Sequence, residues 1–562
     1  MFTFIHTYTP DSWDGLLKNG LFRGGDGLKL MSTPYMPEPA GFNAAAGPGS
    51  PLQAVLRELR CPFYIDRLQG GMRLPRIYPF DPALTGYYRD FLGENFWGWQ
   101  MHEWSSNLRS DILRIKALYE KLGSPSPSPE RRAEIWRGVR SGGTPLFLEA
   151  FTAEEWSERK EPADRGAFLK DVRELYEARS ALTKNALIPA DSYHMAPKTE
   201  IKNGARLLLP EMGWQIPNAR IQTAYTRGMA RDAGIRWGVY YECWCYNKAA
   251  QALTIPFSLR AGQDEWFEDQ LTKGTGADRT PEEREQGGTS RDLQARLWRY
   301  AYLSGATVMG EEYGVSTTFR DLRDFELSPY GQTKKEFLRF TERFADPGEP
   351  FTPFAIVLPK DMEILHVDLP EEYLGYPCED VSGGVDAQLW EKIRRTLKRI
   401  FGVPGKYGND GHVLTPGGLP DVFDILHEDQ TEALSRYEYI IDLTAGDRFR
   451  ENRRAVDPDD ADRILDGLLP LRIDGAHTLY NRTASGWLIW AANNDGVECD
   501  GFRGDVKLPG ADVAAQIRYG SGAGKCVLLD GTGRLHRENG KDVLALGAGE
   551  WVLLGVPFRA DD

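Results

Sequence analysis

The chain is poor in cysteine, lacks a positive charge excess and has no long apolar run. Six cysteines stand among 562 residues, and no two form a CxxC pair. Cys243 and Cys245 are too close for an ordinary disulfide, so the set reads as reduced thiols and the expected compartment is cytoplasmic. A formal net charge of −14 argues against a nucleic-acid partner and is neutral toward uncharged ligands. No stretch approaches the roughly 18–20 apolar residues of a membrane span. The opening MFTFIHTYTPDSW has no basic segment before an apolar one, so no signal peptide is expected. Phosphate-loop, HExxH and GxSxG patterns are all missing, and neither a cofactor nor a metal is expected.

What is present is an ordinary globular composition, 41% hydrophobic and 27% charged, in a chain long enough for two to four domains. Up to about residue 345, short apolar runs alternate with helical patterns, the signature of a parallel α/β fold. The strand candidates are LKLMS (28–32), PFYID (62–66), WGWQMHEW (97–104), PLFLEAF (145–151), ALIPADSY (186–193), RLLLPEMG (206–213), WGVYYECW (237–244) and TVMGEEYG (307–314). These make the eight strands of a (β/α)8 TIM barrel. FTFIHTY (2–8) is a ninth, and taking it as strand one shifts every later number by one. Arg227-Gly228-Met229 falls inside a helical run and is expected to pack helix against barrel. A charged, glycine-bearing loop at 263–290 reads as a lid over the strand ends.

ADPGEPFTP (345–353) reads as a linker. FAIVLP, the amphipathic LWEKIRRTLKRIFG and YEYIIDLT then suggest a small α/β domain, and short strands with turn signals follow to the end. The expected boundaries are 1–345 for the barrel, 354–468 for the small α/β domain and 469–562 for a C-terminal antiparallel β-sandwich.

Five of the barrel runs end in glutamate beside an aromatic residue: Glu103, Glu149, Glu211, Glu242 and Glu312. Parallel strands of a barrel converge with their C-termini on one face, where active sites sit. A ring of carboxylates among indoles suits carbohydrate, because flat rings stack on sugars and two carboxyl groups can cleave a glycosidic bond. Trp99, Trp104, Trp214 and Trp244 are the expected stacking platforms, with Tyr241 beside them. Asp66, Arg67, Asp191, Tyr193 and His102 are expected to bond sugar hydroxyls or tune a neighbouring carboxyl. Glu311 and Glu312 are adjacent, so only one faces the mouth, and Glu312 is the expected one.

With Glu149 ending strand four and Glu242 ending strand seven, the chain resembles the large clan of retaining (β/α)8 glycoside hydrolases. That clan carries its acid/base on strand four and its nucleophile on strand seven. Barrel, flavodoxin-like domain and C-terminal β domain is also the plan of the trimeric bacterial β-galactosidases. The resemblance implies a carbohydrate substrate, a retaining two-glutamate mechanism and a homo-oligomer, trimer or dimer. The clan usually has Asn before its acid/base, whereas Leu148 precedes Glu149 here. His102-Glu103 is the site most like that pair, and it ends strand four if FTFIHTY is strand one. The alternative pair is then Glu103 with Glu211, serving an inverting or otherwise different hydrolase. A non-catalytic carbohydrate-binding protein is the alternative from another class.

Overall fold

The computed structural model describes residues 2–31, 45–66, 83–102, 165–191, 196–213, 216, 218–242, 245–247, 252–254, 291–312, 314–319, 323–360, 362, 387–403, 413–495, 498–499, 507–508 and 511–559. Its first sheet is built from β1 (Thr3–Tyr8), β2 (Gly27–Met31), β3 (Phe63–Asp66), β4 (Phe96–His102), β5 (Leu187–Ala190), β6 (Leu207–Leu208), β7 (Glu211–Gly213), β8 (Arg236–Glu242) and β11 (Val308–Glu311). A small hairpin, β9 (Cys245–Asn247) with β10 (Ala252–Thr254), stands apart from it. The order is β5-β4-β3-β2-β1-β11-β8-β6, with β7 also on β8, and every pairing is parallel. Backbone bonds join the two ends: Leu209 N–H donates to Pro189 O at 3.0 Å and Glu211 N–H to Asp191 O at 2.9 Å. The sheet therefore closes into an eight-stave TIM barrel, with β6 and β7 as one stave interrupted at Pro210, which has no N–H to give the ladder.

Both faces of these strands are buried, as a parallel sheet requires. Ile5, Tyr64, Ile188, Ala190, Leu207, Leu209, Tyr240 and Val308 fill the inside. Phe4, Val239 and Met309, with Leu28, Leu30, Phe63, Ile65 and Met101, face the helices outside. Helix starts follow their local chemistry. Ser50 accepts from Gln53 N–H ahead of Pro51–Leu59, and Ser328 accepts from Gly331 N–H ahead of Pro329–Arg343, each with Pro at the first turn. No helix among the described residues is long and apolar enough to cross a membrane.

The strand count corrects the sequence reading. FTFIHTY supplies a stave, Thr3–Tyr8, wholly buried and bonded to both β2 and β11. Residues 145–151 lie outside the described residues, and β4 is bonded directly to β5, Trp99 opposite Leu187 through His102 opposite Ala190. The ladder leaves no place for a stave between them. Strand four thus ends at His102, strand six at Gly213 and strand seven at Glu242.

After the barrel come β12 (Glu349–Pro350), then β13 (Phe354–Leu358), β14 (Phe423–His427) and β15 (Tyr439–Asp442). The last three form a parallel sheet in the order β14-β13-β15. Its core takes in helix Ala387–Phe401 and also a barrel helix, Ala219–Ala233, through Ile221, Ala224, Tyr225 and Met229. Arg227-Gly228-Met229 therefore packs mainly on the small sheet, a correction to the expected helix-to-barrel contact. Arg227 Nε donates to Asp424 at 2.6 Å, Arg231 Nη1 to the same carboxylate at 2.8 Å, and Tyr225 Oη bonds His427 at 2.6 Å. Glycine is needed at 228 because a Cβ there would sit 2.5 Å from Ile425 O. Gly228→Val is expected to cost about 1–3 kcal/mol by overpacking, read as a lower urea midpoint. An unchanged midpoint would mean that this contact yields freely.

The C-terminal region holds β16 (Leu471–Ile473), β17 (His477–Thr483), β18 (Gly486–Ala492), β19 (Glu498–Cys499), β20 (Lys507–Leu508), β21 (Val513–Tyr519), β22 (Val527–Gly531), β23 (Arg534–Glu538), β24 (Lys541–Leu546) and β25 (Trp551–Pro557). Two antiparallel sheets, β12-β17-β18-β25-β22 and β16-β21-β24-β23, contribute to one core. The stretch read as a linker supplies β12, with Glu349 opposite Arg482 and Pro350 opposite Asn481.

Candidate active site

Strand alternation decides which side chains reach the C-terminal mouth of the barrel. On β8, Tyr240 faces inward and Tyr241 outward, so Glu242 faces inward. On β11, Val308 is inside and Met309 outside, which sends Glu311 outward and Glu312 inward. Glu311 confirms this, because its Oε2 accepts from Lys334 Nζ at 2.5 Å on helix Pro329–Arg343. On the sixth stave Leu209 is inside and Met212 outside, so Glu211 faces inward. Glu211, Glu242 and Glu312 are 1%, 1% and 2% exposed.

The register brings these carboxylates together. Glu311 lies opposite Tyr241, and Glu312 N–H donates to Tyr241 O at 2.8 Å. Glu312 therefore stands beside Glu242 on staves that parallel pairing keeps about 4.8 Å apart. On the other flank Glu242 lies opposite Gly213, where a Cβ would fall 2.7 Å from the Glu242 Cβ. The bare glycine leaves that space open. Glu211 lies opposite Tyr240, one inward-facing position below Glu242, and its carbonyl accepts from Gln222 Nε2 at 3.2 Å.

Lys29 belongs to the same interior and was not singled out from sequence. Leu28 and Leu30 face outward, so Lys29 between them faces inward, and it is 0% exposed. Its ammonium donates to Glu311 O, lies 3.5 Å from Glu312 O and stands 4.6 Å from the centroid of the Tyr240 ring. A charge between two leucines in a strand buried on both faces was the available signal.

Other expected site residues sit elsewhere. Trp99 is 0% exposed in the outer layer with Phe63, Tyr88 and Phe96, and its Nε1 donates to Thr85 Oγ1 at 2.9 Å. It offers no face to a sugar. Tyr241 also turns outward, edge-on to Trp298 at 5.3 Å. Asp191 follows the inward Ala190, and its charge acts on the buried Tyr176 phenol of helix Arg165–Leu182, so it belongs to the outer layer. Asp66 and His102 end β3 and β4, and their side chains lie outside the described residues. Arg67, Glu103, Trp104, Glu149, Tyr193, Trp214 and Trp244 lie outside them altogether. Among the described residues no group of three His, Cys, Asp or Glu is placed to hold a metal.

No family model and no curated protein matches the chain. Solved structures overlap it loosely, among them the following three. α-L-Fucosidase isoenzyme 2 from Paenibacillus thiaminolyticus is 10% identical with a TM-score of 0.41, over 99% of each chain. The catalytic module of a family 98 glycoside hydrolase from Streptococcus pneumoniae TIGR4 is 8% identical with a TM-score of 0.38, over 99% of this chain and 98% of that one. Gan42B, a GH42 β-galactosidase, is 8% identical with a TM-score of 0.42, over the same shares. With these TM-scores at 0.42 or below, the barrel rests on its own strand ladder.

Behind the mouth, on the outer side of β1, His6 is 0% exposed and bonds Asp26 at 3.3 Å. Burial, aided by the nearby Lys334 charge, holds its imidazole down to about 4 against a usual 6.5. The folded protein therefore keeps His6 neutral where the unfolded chain would be protonated. Its contribution is whole above pH 6.5 and is lost as pH falls from 6.5 to 4, roughly 3 kcal/mol for that interval. A His6→Gln variant is expected to lose correspondingly less stability than wild type between pH 7 and 4 in urea titrations. Equal losses would acquit His6.

Proposed function

We propose that this protein is a glycoside hydrolase acting on oligosaccharides by a two-glutamate, retaining mechanism. The observation that carries the reading is the convergence of buried Glu211, Glu242 and Glu312 at the C-terminal mouth of a closed parallel barrel. Glu242 ends strand seven and is the proposed nucleophile. Glu103 follows the last residue of strand four and is the proposed acid/base, so the proposed pair takes one member from each pair weighed in the sequence. The support is the strand count together with the order of roles in the clan that the sequence resembles. Retention needs carboxyl groups about 5 Å apart, one delivering a proton to the leaving oxygen and the other attacking the anomeric carbon.

A second reading pairs Glu242 with Glu312, because neighbouring staves place them side by side. The third is a sugar-binding protein without turnover. A panel of nitrophenyl glycosides, with proton NMR of the first-formed anomer, separates these. A retained anomer supports the proposal, an inverted one overturns the mechanism, and binding without release of nitrophenol favours the third reading. The homo-oligomer implied by the resemblance is proposed with it, and light scattering against the 63.3 kDa chain tests that part.

A further inference from the structure

Of the three buried carboxylates at the mouth, Glu211, Glu242 and Glu312, the proposed reaction uses only Glu242. Buried like charges at this spacing repel strongly, and each is costly to desolvate. A buried cation beside them relieves both costs. Lys29 is a buried, inward-facing cation among the described residues, and its ammonium reaches the backbone that carries Glu312. It rises from β2, opposite Thr7 of β1, yet its ammonium ends at the carbonyls of Glu311 and Glu312, on the far side of β1. Those carbonyls belong to the peptide units where the eighth stave turns away, so the side chain crosses a stave to hold the backbone that presents Glu312. Glu312 in turn stands beside Glu242. Among the described side chains, the titratable groups that share this interior with Lys29 are Tyr64 from β3, Glu211 from β7, Tyr240 and Glu242 from β8, and Glu312. Thr7, Gln100 and Ala190 face it from the other staves and carry no charge.

We infer that Lys29 is a positioning residue that offsets the surplus carboxylate of Glu312, so that Glu242 stays ionised and in place to attack. This rests on the proposed role of Glu242. An ammonium a few ångströms from a carboxylate favours its charged form. Without it, Glu242 and Glu312 side by side would share a proton near neutral pH, and the nucleophile would be lost for part of the time. An ammonium that served only as a tether for two carbonyls would give the same contacts but no dependence on the carboxylate beside them.

The test uses the full chain, as Lys29→Met, Glu312→Gln and the double variant. Unfolding temperatures are measured from pH 5 to 9 with no substrate. Lys29→Met is expected to fall below wild type most at pH 8–9, and the gap is expected to shrink at least twofold by pH 5 as the carboxyls take up protons. The double variant is expected to recover most of the loss at pH 8, and to fold there even if Lys29→Met alone does not. A gap that is flat with pH, or a double variant no better than the single one, overturns the inference. On whichever nitrophenyl glycoside the wild type cleaves, Lys29→Met is expected to move the acidic limb of kcat/KM upward by about one pH unit. An unmoved limb also overturns the inference. If the wild type cleaves none, the glycosidase reading fails by itself, while the unfolding series still decides whether Lys29 and Glu312 offset each other.

Discussion

Glu242→Gln is expected to lower kcat by roughly four orders of magnitude while far-UV circular dichroism stays that of wild type. The amide keeps the shape of a side chain that is 1% exposed but cannot attack an anomeric carbon. The companion experiment separates the acid. Glu103→Gln should slow a substrate with a poor leaving group by about 10²–10⁴-fold and an activated aryl glycoside far less, since the aryl leaving group needs little protonation. Glu149→Gln should be close to wild type. Full activity in Glu242→Gln would remove the seventh stave from the mechanism. A leaving-group effect in Glu312→Gln, in place of Glu103→Gln, would move the acid to the eighth.

Asp421→Ala is expected to destabilise the protein by about 3–5 kcal/mol, read as the shift in urea midpoint multiplied by the slope. Asp421 accepts from Arg220 Nε and Nη2 at 2.8 and 2.7 Å, and its other oxygen bonds His477 Nε2 at 2.7 Å. Arg220 is 1% exposed and gives its remaining donors to the carbonyls of Phe401, Thr415, Gly417 and Leu419. Removing the carboxylate leaves a buried guanidinium without a counter-charge, next to a histidine that burial already keeps from protonating. Against the cost of burial, the Arg220 charge and the hydrogen bonds from His477 and Arg220 hold the Asp421 carboxyl below the usual carboxylate range. Its contribution is thus present above pH 4 and lost only as pH falls further. A cost under 1 kcal/mol would show that water reaches the site and replaces the carboxylate.

The barrel could be read from the chain because strands buried on both faces leave near-continuous apolar runs. Seven of the eight barrel runs picked from the sequence lie on the observed staves, and FTFIHTY, held in reserve as a ninth, is the remaining stave. The number of each stave could not be read, because it is set by pairing between segments far apart in the chain. PLFLEAF has the composition of a strand, but composition carries no information about whether β4 bonds β5 directly. The side of a strand on which a residue falls was partly legible. Alternation within TVMGEEYG was enough to say that only one of Glu311 and Glu312 faces the mouth, and the neighbouring Tyr313 favoured Glu312. Trp99 and Tyr241 were chosen for their chemistry alone, and each proved to point away from the mouth. The Lys29 contact links β2 to the end of β11, more than 280 residues apart, and no local pattern encodes it. DVFDILH, which carries the β14 pairing and the Asp424 that meets Arg227, was also passed over between stronger signals.

Helix Ala219–Ala233 serves two cores, and this has a consequence for how the protein is made. Its face for the barrel, with Ala219 and Ala230, can be covered once the neighbouring staves exist. Its other face, with Ile221, Ala224, Tyr225 and Met229, is covered only by a sheet whose last strand ends at Asp442, about 200 residues further on. At ~5–20 residues per second, a ribosome takes about 10–40 s to supply that cover. For that interval the nascent chain carries a ready-formed apolar stripe with nothing to lie on it. Self-association of this molecule should therefore begin during translation, and slowing the ribosome between the helix and β15 should lower the yield of folded protein more than slowing it anywhere after β15.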